Sequence, residues 1–420
     1  MNTKELHKSL DHLSEDKINE LISRYYNNEN VNSLLTEFDI DVGPSNLCKL
    51  FPPISHPDFP CPNCGNSLAS QPQSKSKRRS VDINYLFCTN CGHTNNSIKN
   101  CQCNYCSNIR KKAEARREEV RRLKECERKS IQEIIKRTYD IKNNIPYHFD
   151  DLNFRHKVYL STICRALLIE NYSPVAQLYP IEIFDQANPI SPTDEYTKKI
   201  FVELCRLNIL IPSPISDILA FVQEDECGNF DYPNNFPNII FISKVWFVIN
   251  VTCNEGFDAL IQKLLLGDYY NSEVDAEEAL KLWQSIAKQE CINYFEYQLN
   301  SVQFSTNFGK KTNIIIEKLL ENFSVSQIYA LIWKEIASAS KAFLEHRCSK
   351  TFAKNIAING VKRYGERALE NGWDIIKYSR NKNVPQSILS EVFFNSVLSL
   401  KDDGFNRAPS IDLLSSLILI

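Results

Sequence analysis

Seven of the fifteen cysteines of this 420-residue chain fall within 46 residues, Cys61 to Cys106. The stretch reads CPNCG, then a 23-residue spacer (Gly65–Phe87), then CTNCGH, then CQCNYC. Two Cys-x-x-Cys knuckles at this separation each present two thiolates to one face of a tetrahedral ion, so Cys61, Cys64, Cys88 and Cys91 read as a structural zinc site. Zinc supplies folding free energy that so short a segment cannot draw from a hydrophobic core. Gly65 and Gly92 follow the second cysteine of each knuckle, where positive φ turns backbone amides toward the sulfurs. Cys101, Cys103 and Cys106 suggest a second zinc, with His93 or Cys126 as the fourth ligand. Cys126 lies twenty residues further along a helix, roughly 30 Å of axial rise, which makes His93 the more feasible partner. In the alternative, one or two of these thiols replace a ribbon ligand and the rest pack as small hydrophobes.

Other chemistry is hard to find. The seven histidines form no His-x-x-x-His pair, and neither a Gly-x-Ser-x-Gly elbow nor a phosphate-binding glycine motif occurs among only 11 glycines. Glu345-His346-Arg347-Cys348 places a histidine and a cysteine on different faces of a helix. Pairs such as Glu277-Glu278 and Asp402-Asp403 read as helix-start and turn acids. The chain therefore reads as non-catalytic, with an enzyme site in the C-terminal half as an open alternative. The eight cysteines outside the cluster lack ligand spacing and are expected to be mostly buried.

The net charge of −2 hides an asymmetry. Residues 1–140 carry 22 Lys/Arg against 18 Asp/Glu (+4), and residues 141–420 carry 27 against 33 (−6). A basic metal-bearing half suits a polyanion, and an acidic half suits packing or a partner. The polar start MNTKELHKSLDHLSEDK has no apolar signal region, and no run of 18 apolar residues spans a membrane, so a reducing cytoplasmic setting is expected.

These residues need elements to position them, and the sequence implies a multidomain, mainly α chain with small β parts. Residues 1–58 read as a three-helix module. Ser14 opens the first helix, Ile18, Leu21, Ile22 and Tyr25 form its stripe, and Val31, Leu34, Leu35 and Phe38 form the second. Ser45–Leu50 begins a third that Pro52-Pro53 stops. The run IxELISRYYNNENVNSLLTEFDIDVGPSNLCKLF resembles the helix-turn-helix of recombinases and transposases, with Ile18, Leu21, Ile22, Tyr25, Val31, Leu34, Phe38 and Ile40 on the family's apolar positions. Asp39 stands where that family has a turn glycine, and Leu35 where it has a small residue. The resemblance covers about a tenth of the chain and implies that Ser45, Asn46 and Lys49 meet DNA. The alternative is a plain helical cap on the zinc segment.

Residues 59–107 read as a zinc ribbon with an extra cysteine cluster. A strand over Val81–Phe87 is expected to lead into the second knuckle, after a basic tip that offers Lys75, Lys77, Arg78 and Arg79 to phosphate. Residues 108–143 read as a charged helix, with 12 basic and 7 acidic residues over Arg110–Asp140 and many Glu–Arg pairs at helical spacing. It is either a solvated linker or a DNA-backbone helix with Arg110, Lys111 and Lys112 in contact. Residues 144–254 read as α+β and are compatible with a winged helix. There, helices over Leu152–Asn171 and Glu195–Leu207 precede an extended Ile209–Pro212 and a β-rich Asn238–Val251. A helix entering a groove would expose Lys198, Lys199 and Arg206, although Glu224-Asp225-Glu226 would repel phosphate. Residues 255–420 read as helical. Stripes run over Gly256–Leu266, Asp275–Leu299, Ile314–Asn322, Ser324–Leu344 and Gln386–Leu400, Ser324 and Gln327 form a capping box, and Asn359-Gly360 and Asn371-Gly372 mark breaks.

The resulting expectation is a zinc-dependent, non-catalytic DNA-binding protein of the kind found in bacterial mobile-element or phage-defence systems. Duplex DNA would be its ligand, and the helical half would hold a protein partner or a second copy. The competing expectation is a zinc-stabilised protein–protein scaffold.

Overall fold

The computed structural model of the chain describes residues 7–77, 81–95, 99–168, 177–183, 188–346 and 348–417. The chain divides into two units, Met1–Glu127 and Arg128–Ile420. It is mainly helical with small sheets.

In the first unit, α1 (Glu15–Tyr26) and α2 (Val31–Glu37) bury Ile18, Leu21, Tyr25 and Leu34. The spacing of these residues is that of one helix face turned to a core. Asn30 caps α2 by accepting from the Asn32 amide at 2.9 Å. The chain turns at Asp39 with φ +52°, and the Ile40 amide closes back on Leu35 O at 2.9 Å. A short polar side chain tolerates this left-handed position, so Asp39 makes the turn that glycine makes in the resembled family. The third element, Pro44–Leu50, is a 3-10 helix rather than an α-helix. Pro44 stands at its first position, where a missing N–H costs nothing, and Pro52-Pro53 follows its end.

β1 (Ile54–Pro60) and β2 (Ser67–Ser70) pair antiparallel across the first knuckle, with Ile54 opposite Ser70 and His56 opposite Leu68. The strand expected over Val81–Phe87 does not form. Its centre is a 3-10 turn, Ile83–Tyr85, capped by the Asp82 carboxylate on the Asn84 amide (3.0 Å). Only Phe87 pairs in β fashion, with Ala69 and Thr94. The Asx cap competes locally with a strand ladder and wins. Then α3 (Asn104–Thr138) begins, and the unit boundary falls within it. Residues 111–123 are all exposed, whereas Ile131 and Ile135 lie in the core of the second unit.

The second unit opens with β3 (Tyr147–His148) and α4 (Phe154–Leu167), followed by β4 (Gln177–Leu178), α5 (Asp194–Arg206) and β5 (Leu210–Pro212). α4 is shorter than the sequence suggested, and residues 169–171 lie outside the described residues. α5 starts at its Thr193 cap, which accepts from the Tyr196 amide. After a small hairpin of β6 (Gln223–Glu224) and β7 (Phe230–Asp231), only β8 (Phe247–Ile249) and β9 (Val251–Thr252) are strands in the expected β-rich run. Between them, buried Asn250 donates Nδ2 to Ile145 O (3.1 Å) and Asn208 O (2.9 Å), passing the chain from one sheet to another. β8 is the middle strand of an antiparallel sheet of order β4-β8-β5, and β9 pairs parallel with β3.

Helices α6 (Phe257–Leu266), α7 (Ala276–Ser301), α8 (Lys310–Leu320), α9 (Val325–His346) and α10 (Lys350–Asn371) complete the core. Ser324 and Gln327 make the expected reciprocal cap (3.0 and 3.3 Å). Asn359-Gly360 is not a break but mid-α10. A Cβ on Gly360 would lie 2.1 Å from the Glu335 carboxylate, so glycine there admits a close approach of α9. Gly372 does end α10, at φ +63°. The last expected helix is shorter and irregular. α11 (Ile388–Glu391) runs into a π-helical turn, Val392–Val397, that buries Phe393 and Phe394. α12 (Asp403–Asn406) and α13 (Ile411–Ser415) follow.

Candidate metal centre

The two knuckles have the same local geometry. Gly65 (φ +76°) donates to Cys61 O at 2.9 Å, and Gly92 (φ +69°) donates to Cys88 O at 3.0 Å. The Cys61 amide closes on Asn66 O and the Cys88 amide on His93 O, both at 2.7 Å. Each turn thus aims two sulfurs inward. Cys61 Sγ and Cys91 Sγ are 3.6 Å apart, and Cys64 Sγ and Cys88 Sγ are 3.4 Å apart. A tetrahedral ion with bonds of about 2.3 Å to sulfur sets neighbouring sulfurs about 3.8 Å apart, so the four fit one such ion.

A second cluster joins His93, Cys101, Cys103 and Cys106, all four buried, with ligand atoms within 4.8 Å of one another. His93 Nδ1 lies 3.4 Å from Cys103 Sγ, 3.4 Å from Cys106 Sγ and 3.8 Å from Cys101 Sγ. On the opposite edge, His93 Nε2 donates to Asn95 Oδ1 at 2.8 Å, and Asn95 Nδ2 donates to Ile83 O at 3.0 Å. This leaves the Nδ1 lone pair pointing at the sulfurs, the arrangement a metal-ligating histidine needs. Cys126 lies on the exposed surface of α3 and belongs to neither cluster.

The clusters are also joined to each other. Asn63, inside the first knuckle, accepts the Tyr105 amide at the start of α3 (3.0 Å). Arg110 donates from Nη1 to Cys101 O at 2.6 Å, so its guanidinium braces the second cluster.

The thiols differ in acidity. Burial pushes the Cys61 and Cys106 thiols up to about 12. Cys64 is held down to about 6 by the Asn66 amide and the Asn90 side chain. Against the effect of burial, the amides of Cys103 and Thr94 bring Cys101 down to about 6. Four converging thiolates repel one another, and a divalent cation removes that cost. Zinc fits both donor sets, thiolate with one imidazole in the second, and with four protein ligands and no open position it would act structurally.

The candidate nucleic-acid residues are distributed as follows. Ser45, Asn46 and Lys49 are exposed along one 3-10 helix, where Lys49 Nζ donates to Asn46 Oδ1 (2.9 Å). Lys75 is engaged within the protein: its Nζ donates to Glu29 O at 2.8 Å and sits 5.5 Å from the Tyr25 ring centre. Tyr26 donates to Gln73 O at 2.8 Å, so Gln73 and Lys75 both lie against α1 or the turn after it. Arg78 and Arg79 lie outside the described residues, as does the side chain of Lys77. Lys111 and Lys112 are exposed on α3.

Of the eight cysteines outside the clusters, Cys48, Cys164 and Cys291 are buried and Cys205, Cys253 and Cys348 are half-buried against the core, whereas Cys126 and Cys227 are exposed and depart from the expectation. The spacing signal missed the Asn63, Asn95 and Arg110 supports, although Asx residues beside metal ligands hint at such roles. No helix among the described residues is long and apolar enough to cross a membrane. No family model, curated protein or solved structure matches the chain.

Proposed function

We propose that this is a zinc-dependent, non-catalytic DNA-binding protein whose phosphate contacts come from the metal-organised segment and the first turns of α3. The distribution of charge carries the reading. Residues 1–58 hold 5 Lys/Arg against 10 Asp/Glu, whereas residues 59–127 hold 13 against 6. The helical module is therefore a poor phosphate surface despite its helix-turn-helix resemblance. Its Arg24 is occupied by Glu20, Glu29 and Glu37 at 2.7–3.3 Å. Lys111 and Lys112 stand where the second metal cluster and Arg110 fix the start of α3, and a fixed cation loses less entropy on meeting phosphate than one on a loose tip. In this reading both zinc ions are structural, and the acidic second unit serves packing or a partner. The mobile-element or phage-defence setting rests on analogy with proteins that combine such modules.

The order α4, β4, α5, β5, β8, with β8 central in an antiparallel sheet, supports a winged-helix reading of residues 144–254. Lys198, Lys199 and Arg206 are exposed on α5, but Asp194 and Glu195 occupy its first turn, so phosphate contact there is disfavoured.

The test is duplex binding by the zinc-loaded full chain between 50 and 300 mM salt. Affinity should fall steeply with salt, and Lys111→Ala with Lys112→Ala should reduce the log–log slope by about two. Binding that is equally weak at both salt concentrations sinks the proposal. Capture of a tight protein partner with no nucleic acid retained would favour the scaffold reading instead.

A further inference from the structure

Helix α3 carries an exposed apolar stripe that neither the metal clusters nor the phosphate contacts use. Among the described residues, the large apolar or aromatic side chains that α3 exposes are Tyr105, Ile109, Val120, Leu123 and Ile134. Val120 and Leu123 are more than half exposed, at 53% and 58%. At 3.6 residues per turn all five fall within about 60° around the helix axis. A helix that is merely solvated has no reason to gather its apolar side chains on one line. A stripe this narrow is the seam of a coiled coil. Ile131 and Ile135, which enter the core of the second unit, lie to one side of it. All of the seam positions belong to one helix, so their register depends only on α3.

The order of residues along the seam selects its occupant. From Ile109 to Ile134 the seam steps alternately by four and three residues, just under four heptads or about 38 Å. Set end to end against a second copy, it is complementary to itself about the point between residues 121 and 122. Val120 meets the partner's Leu123, and Ile109 meets the partner's Ile134. The small Ala113 meets the partner's Ser130, and Arg116 meets the partner's Glu127. Each pair occurs twice because the axis is two-fold. In a parallel arrangement Arg116 would face Arg116 and Glu127 would face Glu127, and like charges inside the seam disfavour that orientation. A carboxylate accepts several donors, so Glu127 can take the guanidinium beside an intrachain partner. On the flanks Lys112 falls beside the partner's Glu133, but Arg117 falls beside the partner's Lys124. The seam, not the flanks, therefore sets the register.

We infer that α3 pairs with α3 of a second copy of this chain as an antiparallel two-stranded coiled coil. Lys111 lies on the far face and Lys112 at the margin of the seam, so pairing buries neither of the cations assigned to phosphate. The inference does not rest on the nucleic-acid reading. A helix of another protein is the competing occupant, but a seam that complements itself in both its apolar and its charged positions favours the second copy.

The experiment is sedimentation velocity on the full zinc-loaded chain between about 1 and about 100 µM. Wild type should form a dimer of about 97 kDa, twice the 48.5 kDa of one chain. Val120→Glu combined with Leu123→Glu places four carboxylates at the centre of the seam and should leave a monomer across that range. Arg116→Glu should weaken the dimer by about tenfold or more, and adding Glu127→Arg should restore it to within about threefold. Unchanged metal content and helicity show that the variants fold. Wild type that stays monomeric, or a dimer that survives the glutamate pair, overturns the inference. A dimer that Arg116→Glu leaves intact, or that Glu127→Arg fails to restore, overturns the antiparallel register.

Discussion

Stripping the metal from the intact chain should unfold the segment from Cys61 to Cys106 while leaving the second unit folded. The magnitudes follow from what is buried there. Apart from cysteines, the large apolar side chains buried among the described residues of the knuckle segment are Leu68 and Leu86, and the second cluster buries only His93 and three cysteines. Two buried leucines contribute about 3–6 kcal/mol together. A structural zinc contributes about 10–16 kcal/mol per site near neutral pH. The ions therefore outweigh the apolar core severalfold, and the apo segment has too little left to hold its turns. Hydrogen exchange with mass spectrometry, before and after a strong chelator, reads this directly. Amides of Cys61, Gly65, Cys88 and Gly92, now hydrogen-bonded, should lose protection by about a thousandfold or more, equivalent to about 4 kcal/mol of local stability. Amides of α7 and α9 should be unchanged, because neither cluster draws a ligand from the second unit. If elemental analysis confirms metal loss and the knuckle amides stay protected, apolar packing holds the segment and the reasoning is wrong.

Four further outcomes are expected. Asn95→Ala removes the acceptor that orients His93, and should weaken metal at the second cluster by about 10- to 100-fold while the first cluster keeps its ion, as read by competition with a colorimetric chelator. Glu290 is buried and is held by Arg380 at 2.9 Å and by Ser390 at 2.7 Å; Glu290→Ala strands the guanidinium and should cost about 3–5 kcal/mol in denaturant unfolding of the second unit. Gly404→Ala places a Cβ 2.2 Å from the Phe394 ring, a rigid neighbour, and should cost about 1–3 kcal/mol by the same assay. Burial holds the Glu335 carboxyl above its ordinary range, although Arg363 and Lys334 pull it down. A raised carboxyl binds its proton more tightly in the folded state, so stability declines as pH climbs from the unfolded value, about 4.3, through the folded one. Glu335→Gln should thus raise the melting temperature at pH 7 more than at pH 4, and an equal shift at both would contradict the assignment.

Features governed by a few neighbouring residues are legible without the fold. Cys-x-x-Cys spacing with a following glycine dictates a knuckle whatever surrounds it, and both knuckles formed as expected. Helical periodicity located α1, α2, α5, α7, α8 and α9, and the Ser324–Gln327 cap needed only residues three apart. Features that join residues far apart in the chain depend on the folded arrangement. It brought His93 rather than Cys126 to Cys101, Cys103 and Cys106, because the second knuckle folds onto the start of α3 while Cys126 is carried away along a rigid helix. It engaged Lys75 with Glu29, across 46 residues, and so removed a basic side chain that composition alone assigns to phosphate. It placed Gly360 mid-helix, where asparagine–glycine reads as a break, because close packing against Glu335 outweighs the helix propensity lost. Spacing along the chain sets which atoms could meet; desolvation and contact in the folded core decide which of them do.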